Sequence, residues 1–516
     1  MKTIRREQRD HRMKMSGSLV GMKKPGRGGT GCSRQMLTII VALVLLNVTT
    51  LYAQKPDRTK PPMPGPAPAL KLPGIQRFTL SNGMTIVLME KHGVPVVQMN
   101  LLVKTGSAYD PADRSGLASL TTDMMDEGAG KRNALELADA IDFLGASIST
   151  GSGMHTSSIS LHTPLAKLDQ AIPLMADIAI RPTFPADELA RKRKERLTTL
   201  LQWHDEPRAI ASVIVNKTLF GTHHPYGLPT MGNEQAIRSI SVDDLKRFHS
   251  TSFHAGNATL IVVGDVIPKT LLPKLEAAFG KWQKKAGTKH TWPATKQVDS
   301  RKIYLVDKPA AAQSEIRIGR LGVERMTEDY FPLLVMNTVL GGSFTSRLNQ
   351  NLREQHGYSY GASSYFDFRP LPGPFLASSA VQTAVTDKAL TEFMKELNGI
   401  LQPVPDEELT RAKNYLALGY LDNFQSVSQV AGQLAELVTY NLPEDYFNTY
   451  IQRVLSVSKA DVERVAKKYL DPETVAIIVV GDQKTIEQGV RDLKLGPMEI
   501  LSVEDVLGKA PVIESK

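Results

Sequence analysis

The sequence predicts an α+β fold built from two similar domains, each a mainly antiparallel sheet packed with helices. The first observation is an internal repeat, because VDDLKRFHSTSFHAGNATLIVVGDV at 242–266 is similar to KADVERVAKKYLDPETVAIIVVGDQ at 459–483. Each copy indicates an amphipathic helix, a short turn and a β-branched strand ending in Gly-Asp. The second observation is that strand-like runs such as TIVLME mix with long helical patterns such as 185–203 without strict βα alternation, which favours antiparallel sheets.

The two predicted domains occupy residues 75–290 and 300–500, with a polar linker between them. Gly264 and Gly481, which close the repeated strands, lie 217 residues apart, and this spacing sets the domain length. The first domain is expected to open with a β-hairpin, because Asn82-Gly83 lies between two apolar runs. A chain of 516 residues also exceeds what one hydrophobic core usually supports.

The N-terminal segment predicts export. A basic region precedes an uncharged apolar stretch, and Ala53 offers the small residue that signal cleavage requires, so residues 1–53 are expected to be a signal peptide. The basic region is unusually long, and Met22 and Met36 are candidates for a true initiator further along the chain. An uncleaved N-terminal membrane anchor is the alternative, although the apolar stretch is short for a membrane span. In a Gram-negative cell the mature chain would be periplasmic and without a span. Residues 54–74 are rich in proline and predict an extended spacer.

The excess of positive charge is confined to this leader. The whole chain has a formal net charge of +9, but residues 1–35 alone hold ten basic and two acidic residues. Beyond Ala53 there are 52 basic and 51 acidic residues. A mature chain with nearly equal numbers of basic and acidic residues lacks the excess positive charge of a nucleic-acid-binding protein. We therefore expect no nucleic-acid partner.

Several motifs, taken together and in order, resemble the pitrilysin/insulinase metallopeptidases. They are GLA at 116–118, FPADELARKRKERLTTLLQWHDEP from 184, HHPYG from 223, NATLIVVGDV from 257 and GGSFTSRLNQNLREQHGYSYGASSYF from 341. Each motif alone is weak, but their shared order extends over residues 75 to 485. The resemblance implies that the two domains of one chain form half of a clam-shell.

The zinc-binding residues of that family are replaced at the equivalent positions. The family places the inverted motif H-x-x-E-H directly after the Gly-Leu-Ala, so that two His share one helix face and the Glu takes a proton from zinc-bound water. On this chain the His positions fall on Ser119 and Asp123, the Glu position on Thr122, and the third ligand on Thr199, 76 residues after Asp123. Hydroxyls are weak zinc ligands and poor bases at neutral pH, so we expect no metal on this chain.

Acidic residues near the degenerate motif are weak candidates for a replacement site. Asp123, Asp126 and Glu127 have the spacing that would place three acids on one helix face. Such a face could hold a cation weakly, but a solvated acidic surface is the simpler interpretation.

Histidines elsewhere give no better metal site. His223-His224 precede Pro225-Tyr226-Gly227, and adjacent His seldom chelate one ion; the family carries a similar element as a structural loop. His155 and His162 are predicted at strand positions of opposite parity, which would point their side chains to opposite faces. The sequence therefore does not rebuild the missing zinc site.

The second predicted domain retains a pair of substrate-binding residues. The family carries an Arg and a Tyr seven residues apart that bind the substrate backbone and help hold the developing oxyanion, and Arg353 and Tyr360 have that spacing. Gly357 is expected to end the helix bearing Arg353 and let the chain turn into the strand bearing Tyr360. Guanidinium and phenol groups are both suitable donors to an oxyanion.

A chain with the Arg/Tyr pair but without zinc ligands resembles the non-catalytic subunit of the two-subunit members of this family. The resemblance implies a homologous partner that carries the zinc motif and ligates the only zinc, and unfolded peptides as substrates. One alternative is a scaffold or peptide-binding homologue with no proteolytic role, which would need neither Arg353 nor Tyr360. A peptidase with a relocated metal is the third hypothesis, and the search for ligands disfavours it.

Overall fold

Two six-stranded sheets with corresponding strand orders organise the protein. The computed structural model describes residue 65 and residues 70–287 and 290–513; we call 70–287 the first half and 290–513 the second half. The strands of the first half are β1 (Gln76–Thr79), β2 (Thr85–Glu90), β3 (Val96–Val103), β4 (Gly128–Ala129), β5 (Arg132–Asn133), β6 (Ser147–Ser152), β7 (Ser157–Pro164) and β8 (Ala258–Gly264). The first sheet has the order β1-β2-β8-β3-β7-β6, and β4 and β5 form a separate small hairpin.

Most helices of the first half cover one face of the first sheet. The helices of this half are α1 (Leu117–Asp123), α2 (Ala134–Asp142), α3 (Leu168–Ile180), α4 (Ala186–Trp203), α5 (Pro207–Phe220), α6 (Glu234–Ser239), α7 (Val242–Ser252) and α8 (Pro268–Phe279). Of these, α5 packs elsewhere. The core between this face and the helices includes Leu101 and Leu260 from the sheet and Leu245 and Leu275 from the helices. Alternate residues of each strand therefore point into this core.

The second half repeats this arrangement. Its strands are β9 (Lys302–Asp307), β10 (Gln313–Leu321), β11 (Ser359–Phe366), β12 (Pro374–Gln382), β13 (Ala476–Gly481) and β14 (Met498–Leu501), in the order β11-β12-β10-β13-β9-β14. Its helices are α9 (Tyr330–Leu340), α10 (Arg347–Asn349), α11 (Thr386–Gly399), α12 (Asp406–Gly419), α13 (Val427–Tyr440), α14 (Tyr446–Ser456), α15 (Lys459–Tyr469), α16 (Gln483–Asp492) and α17 (Val503–Leu507). A π-helical turn, Gln350–Gln355, extends α10.

The two halves exchange one helix each. Helix α5 of the first half packs on β10 and β13, and α13 of the second half packs on β3 and β8. Each sheet is thus covered on both faces, which explains why β8 and β13 are buried along their whole length. Residues from Gly65 onward form one compact unit, because this exchange joins the two cores.

The predicted α+β class with two similar domains is confirmed, since antiparallel pairs predominate in both sheets. The helix of each repeat copy begins with the same capping box, Ser241 with Asp244 in α7 and Ser458 with Asp461 in α15. The expected hairpin is present, and its strands meet at Thr79 and Thr85.

Several predictions concern segments outside the described residues or remain untested. The leader over residues 1–53 and most of the spacer over 54–74 lie outside the described residues. The domain limits of 75–290 and 300–500 remain predictions. Among the helices that the structure describes, none is long and apolar enough to cross a bilayer.

Candidate functional site

Helix α1, which carries three of the four degenerate positions, begins at a glycine that no other residue could replace without strain. Gly116 has a φ of +87°, and a Cβ at this position would lie 2.4 Å from the carbonyl oxygen of Met231. Asp110 accepts hydrogen bonds from the backbone N–H groups of Gly116 and Ala118, both at 2.8 Å. Its carboxylate thereby satisfies donors at the start of the helix. A short helix therefore forms where the resemblance places the zinc motif.

The hydroxyl groups at the degenerate positions bond to nearby carbonyl oxygens. Ser119 Oγ donates to the carbonyl of Thr230 at 2.7 Å, and Thr122 Oγ1 donates to the carbonyl of Ser119 at 2.9 Å. Thr199 Oγ1 donates to the carbonyl of Glu195, one turn earlier on α4, at 3.0 Å. None of these arrangements presents a ligand set to a metal ion.

Asp123 is neutralised by an arginine of the same chain. Arg196 on α4 places Nη2 2.5 Å from Asp123 Oδ2, and its Nη1 donates to the carbonyl oxygens of Met231 at 3.1 Å and Gly116 at 3.2 Å. Arg196 is buried, with 7% of its surface exposed. A guanidinium is always charged and offers donors only, so it supplies the cation at the one acidic position of the motif. A divalent metal at Asp123 would be repelled by this charge.

Sequence reasoning did not single out Arg196. It lies one helical turn before Thr199, on the same helix as the position expected to carry the third zinc ligand. Basic residues are frequent in that helix, and its sequence alone does not mark which of them is buried.

The predicted acidic face is wrong. Helix α1 ends at Asp123, with Met124 as its C-cap, so Asp126 and Glu127 do not continue the helix. Glu127 instead pairs with Arg191 at 2.7 Å and Lys192 at 2.6 Å. These partners hold the carboxylate against α4, where it has a structural role.

The histidines named from the sequence have structural contacts. His224 Nδ1 accepts the backbone N–H of Tyr226 at 3.1 Å, which fits the expected structural loop. His162 lies on β7 and pairs with Gln98 at 3.2 Å. The expectation that His155 also lies on a strand is wrong, because β7 begins two residues later; His155 Nε2 hydrogen-bonds the Tyr226 hydroxyl. Within residues 70–287 and 290–513, no three His, Cys, Asp or Glu are placed to share a metal.

Arg353 and Tyr360 stand on consecutive elements at the edge of the second sheet. Arg353 lies on the π-helical turn, with its guanidinium 4.5 Å from the centre of the Phe344 ring and 37% of its side chain exposed. Gly357 ends this turn with a φ of +64°. Tyr360 follows on the edge strand β11 and is 92% exposed. The structure therefore places the two residues on a helix and a strand separated by Gly357, as expected; their role in substrate binding stays a prediction.

The backbone near Tyr360 departs from regular pairing. The register between β11 and β12 shifts between Ser359 and Ala362, so Tyr360 lies at a β-bulge. Bulges re-aim side chains and are common beside functional sites. An exposed tyrosine at a bulge on an edge strand can contact a bound chain without disturbing the core of the sheet.

Comparisons with known proteins agree with these features. The family model for insulinase (peptidase family M16) matches residues 85–234, and the model for the peptidase M16 inactive domain matches residues 239–416. This fold, with two sheets and a degenerate inverted zinc motif, defines a member of peptidase family M16. The chain belongs to that family, and the inactive-domain model spans the last part of its first half and the first part of its second half.

Relatives carry names of both active and inactive proteins. An uncharacterized zinc protease, YmxG, of Bacillus subtilis is 26% identical over 56% of this chain and 70% of its own length. A non-peptidase homolog, also named YmxG, of Helicobacter pylori is 22% identical over 77% of this chain and 92% of its own length.

Solved structures show the same fold. The peptidase M16 inactive domain of Pseudomonas fluorescens superposes with a TM-score of 0.74 and 26% identity, covering 79% of this chain and 98% of that chain. A protease from Helicobacter pylori superposes with a TM-score of 0.72 and 20% identity, covering 79% of this chain and 100% of that chain. The second match carries information about the fold alone.

Proposed function

We propose that this chain is the non-catalytic, substrate-binding subunit of a heterodimeric zinc peptidase. Arg353 and Tyr360 would bind the backbone and the developing oxyanion of a peptide whose zinc-bound water is supplied by a homologous partner. The partner would hold the zinc, and this chain would hold none. Both subunits would be exported, with this chain periplasmic after removal of its leader.

One contrast carries the proposal. The metal half of the site is closed by the Arg196–Asp123 ion pair, whereas Tyr360 is almost fully exposed on an edge strand. A large exposed aromatic side chain has no packing role in its own chain, so an external contact explains it better than stability does. A site that offers oxyanion donors without a nucleophile is complete only beside a second chain.

A second candidate function is peptide binding or scaffolding without proteolysis. It is favoured by the name of the Helicobacter pylori relative, a non-peptidase homolog that this chain covers almost completely. Under this alternative Tyr360 contacts a bound protein, and no cleavage depends on it.

The test measures cleavage of a fluorescence-quenched, unstructured peptide by the chain alone and by its mixture with a homologous chain that has an intact H-x-x-E-H motif. We expect no cleavage by the chain alone, and chelator-sensitive cleavage by the mixture. Arg353→Ala or Tyr360→Phe should lower kcat of the mixture roughly 100-fold, the cost of removing one oxyanion donor.

Matched controls and a metal assay separate the alternatives. Arg411→Ala and Tyr415→Phe alter an exposed arginine and an exposed tyrosine away from the pair, and should leave kcat unchanged. Elemental analysis of the pure chain should find no stoichiometric zinc. Chelator-sensitive cleavage by the pure chain would refute the proposal, and a stable complex without cleavage would support the scaffold.

A further inference from the structure

A cavity of about 340 Å³ lies beside Tyr360, between the two halves. Its walls come from the start of α5, where Glu206 and Arg208 stand, and from β10, β11 and β12, which contribute Glu315 and Ser378. We propose that this cavity binds a basic side chain of the peptide and so gives this subunit a sequence preference. The inference rests on the proposed function, because it takes the ligand to be the peptide held by Tyr360.

Glu315 is the buried acceptor of the cavity. Only 7% of its surface is exposed, yet it forms part of the wall. One carboxylate oxygen, Oε1, lies 3.0 Å from Arg317 Nη2. No hydrogen bond joins its other oxygen to any described residue. Burial raises the pKa of Glu315, with opposing contributions from Arg317 and Arg208. An added donor at the free oxygen would stabilise the carboxylate.

At the equivalent position in the first half, the polar side chains form a complete hydrogen-bond network. Gln98 and Asn100 on β3 stand 217 residues before Glu315 and Arg317 on β10. The strands beside them correspond as well, β7 and β8 next to β3 and β12 and β13 next to β10. Gln98 Nε2 donates to Asn100 Oδ1 and Ser160 Oγ, both at 2.7 Å. Ser428, the second residue of α13, donates to Gln98 Oε1 at 2.8 Å and completes the network.

The second half lacks that final donor. The second residue of α5 is Arg208, and no ion pair within 4.0 Å joins it to Glu315 in the described chain. The cavity therefore stays open where Ser428 closes its counterpart. A ligand that carries its own N–H donors would complete the network that the protein leaves unfinished.

An ammonium or guanidinium group fits the remaining wall. Glu315 offers a carboxylate oxygen, Ser363 and Ser378 offer hydroxyl oxygens, and Glu206 adds a second acid at the helix start. Arg208, on the first turn of α5, opposes a cation, whereas Arg317 does not line the cavity. An acidic ligand would instead meet two carboxylates.

The experiment compares three unstructured peptides that differ only in carrying Lys, norleucine or Glu at one position. Binding to the full chain is followed by fluorescence anisotropy, and the position is moved along the peptide to find the register. We expect the Lys peptide to bind roughly tenfold more tightly than the norleucine peptide, the effect of one hydrogen bond to a charged group. Arg208→Ala should widen this ratio.

The deciding variant transfers the residue types found at Gln98 and Asn100 in the first half to the second half. Glu315→Gln with Arg317→Asn installs the pair found at Gln98 and Asn100, so neither charge is left buried alone. This double variant should bring the Lys-to-norleucine ratio of Kd values close to one. Glu407→Gln, at an exposed site on α12, serves as the matched control and should retain the ratio.

The remaining outcomes separate this inference from the proposed function. Equal Kd values for the three peptides, with the Arg353 and Tyr360 variants still weakening binding, would overturn the basic-side-chain preference alone. A preference for the Glu peptide would overturn it as well, and would identify Arg208 as the dominant charge. No binding of any peptide would overturn both.

Discussion

Arg196 and Asp123 form an ion pair of 2.5 Å across the place where the family builds its zinc centre. The arginine comes from α4 and the aspartate from α1, so the pair joins the same two helices that the metal would join. Because Arg196 also binds two backbone carbonyls, it supports the loop that follows α5 as well. In this chain an ion pair joins α1 to α4 at the positions where the resemblance places the zinc ligands.

Restoring the motif should not by itself restore metal binding. A variant with Ser119→His, Thr122→Glu, Asp123→His and Thr199→Glu would still hold the cation of Arg196 among the new ligands. Adding Arg196→Gln should raise the zinc affinity by tenfold or more, since it removes a positive charge within contact distance of the ion. Competition with a chromophoric zinc chelator measures both constants, and equal affinities would contradict the role given to Arg196.

Arg196 should also matter for stability. Arg196→Ala leaves the Met231 carbonyl without its donor, takes one donor from the Gly116 carbonyl and removes the partner of Asp123. We expect a loss of about 3 kcal/mol. Asp123→Asn should cost less, because 41% of the aspartate side chain is exposed to solvent. Urea unfolding followed by circular dichroism tests the order. A larger loss from Asp123→Asn would place the stabilising contact elsewhere.

Two glycines with positive φ give a matched test of local packing. Gly116→Ala combines backbone strain at +87° with a Cβ 2.4 Å from the Met231 oxygen, and should cost at least about 3 kcal/mol. Gly357→Ala has a φ of +64° but open space around its Cβ, and should cost only about 1 kcal/mol. Thermal unfolding of both variants measures the difference. Similar losses would mean that the close approach at Gly116 is relieved by movement of the loop.

The repeat explains why so much of the fold was accessible from sequence. Its two copies carry the same capping box and the same buried strand, and both features depend on residues close together in the chain. The exchange of α5 and α13 between the halves was not accessible, because each helix packs on a sheet whose strands are remote in sequence. Amphipathic pattern identifies a helix but not the sheet that it covers.

The candidate site also has some features that local sequence predicts and others that it does not. The replaced positions Ser119, Thr122 and Asp123 could be located from the Gly-Leu-Ala that precedes them. The end of α1 could not be located, because the spacing of Asp126 and Glu127 after Asp123 is that of a longer helix than the one that forms. The sequence also does not identify Arg196 and Glu315 as important, because their roles depend on burial and on partners from other elements. Charged residues in a sequence are expected at the surface unless a partner is visible.

His155 should make stability depend on pH in the mildly acidic range. Burial, aided by the nearby charges of Arg369 and His224, lowers its pKa from 6.5 to about 4. Between these values the unfolded chain binds a proton at His155 that the folded chain does not, so stability is fully present above pH 6.5 and falls as the pH drops toward 4. The loss in the free energy of unfolding attributable to His155 should approach about 3 kcal/mol.

Urea unfolding of wild type and His155→Gln from pH 7.5 to 4.5 should show a shallower decline in the free energy of unfolding for the variant. His223→Gln, at an exposed histidine, is the matched control and should follow wild type. Parallel curves for wild type and His155→Gln would show that the buried imidazole takes up its proton without opening the structure.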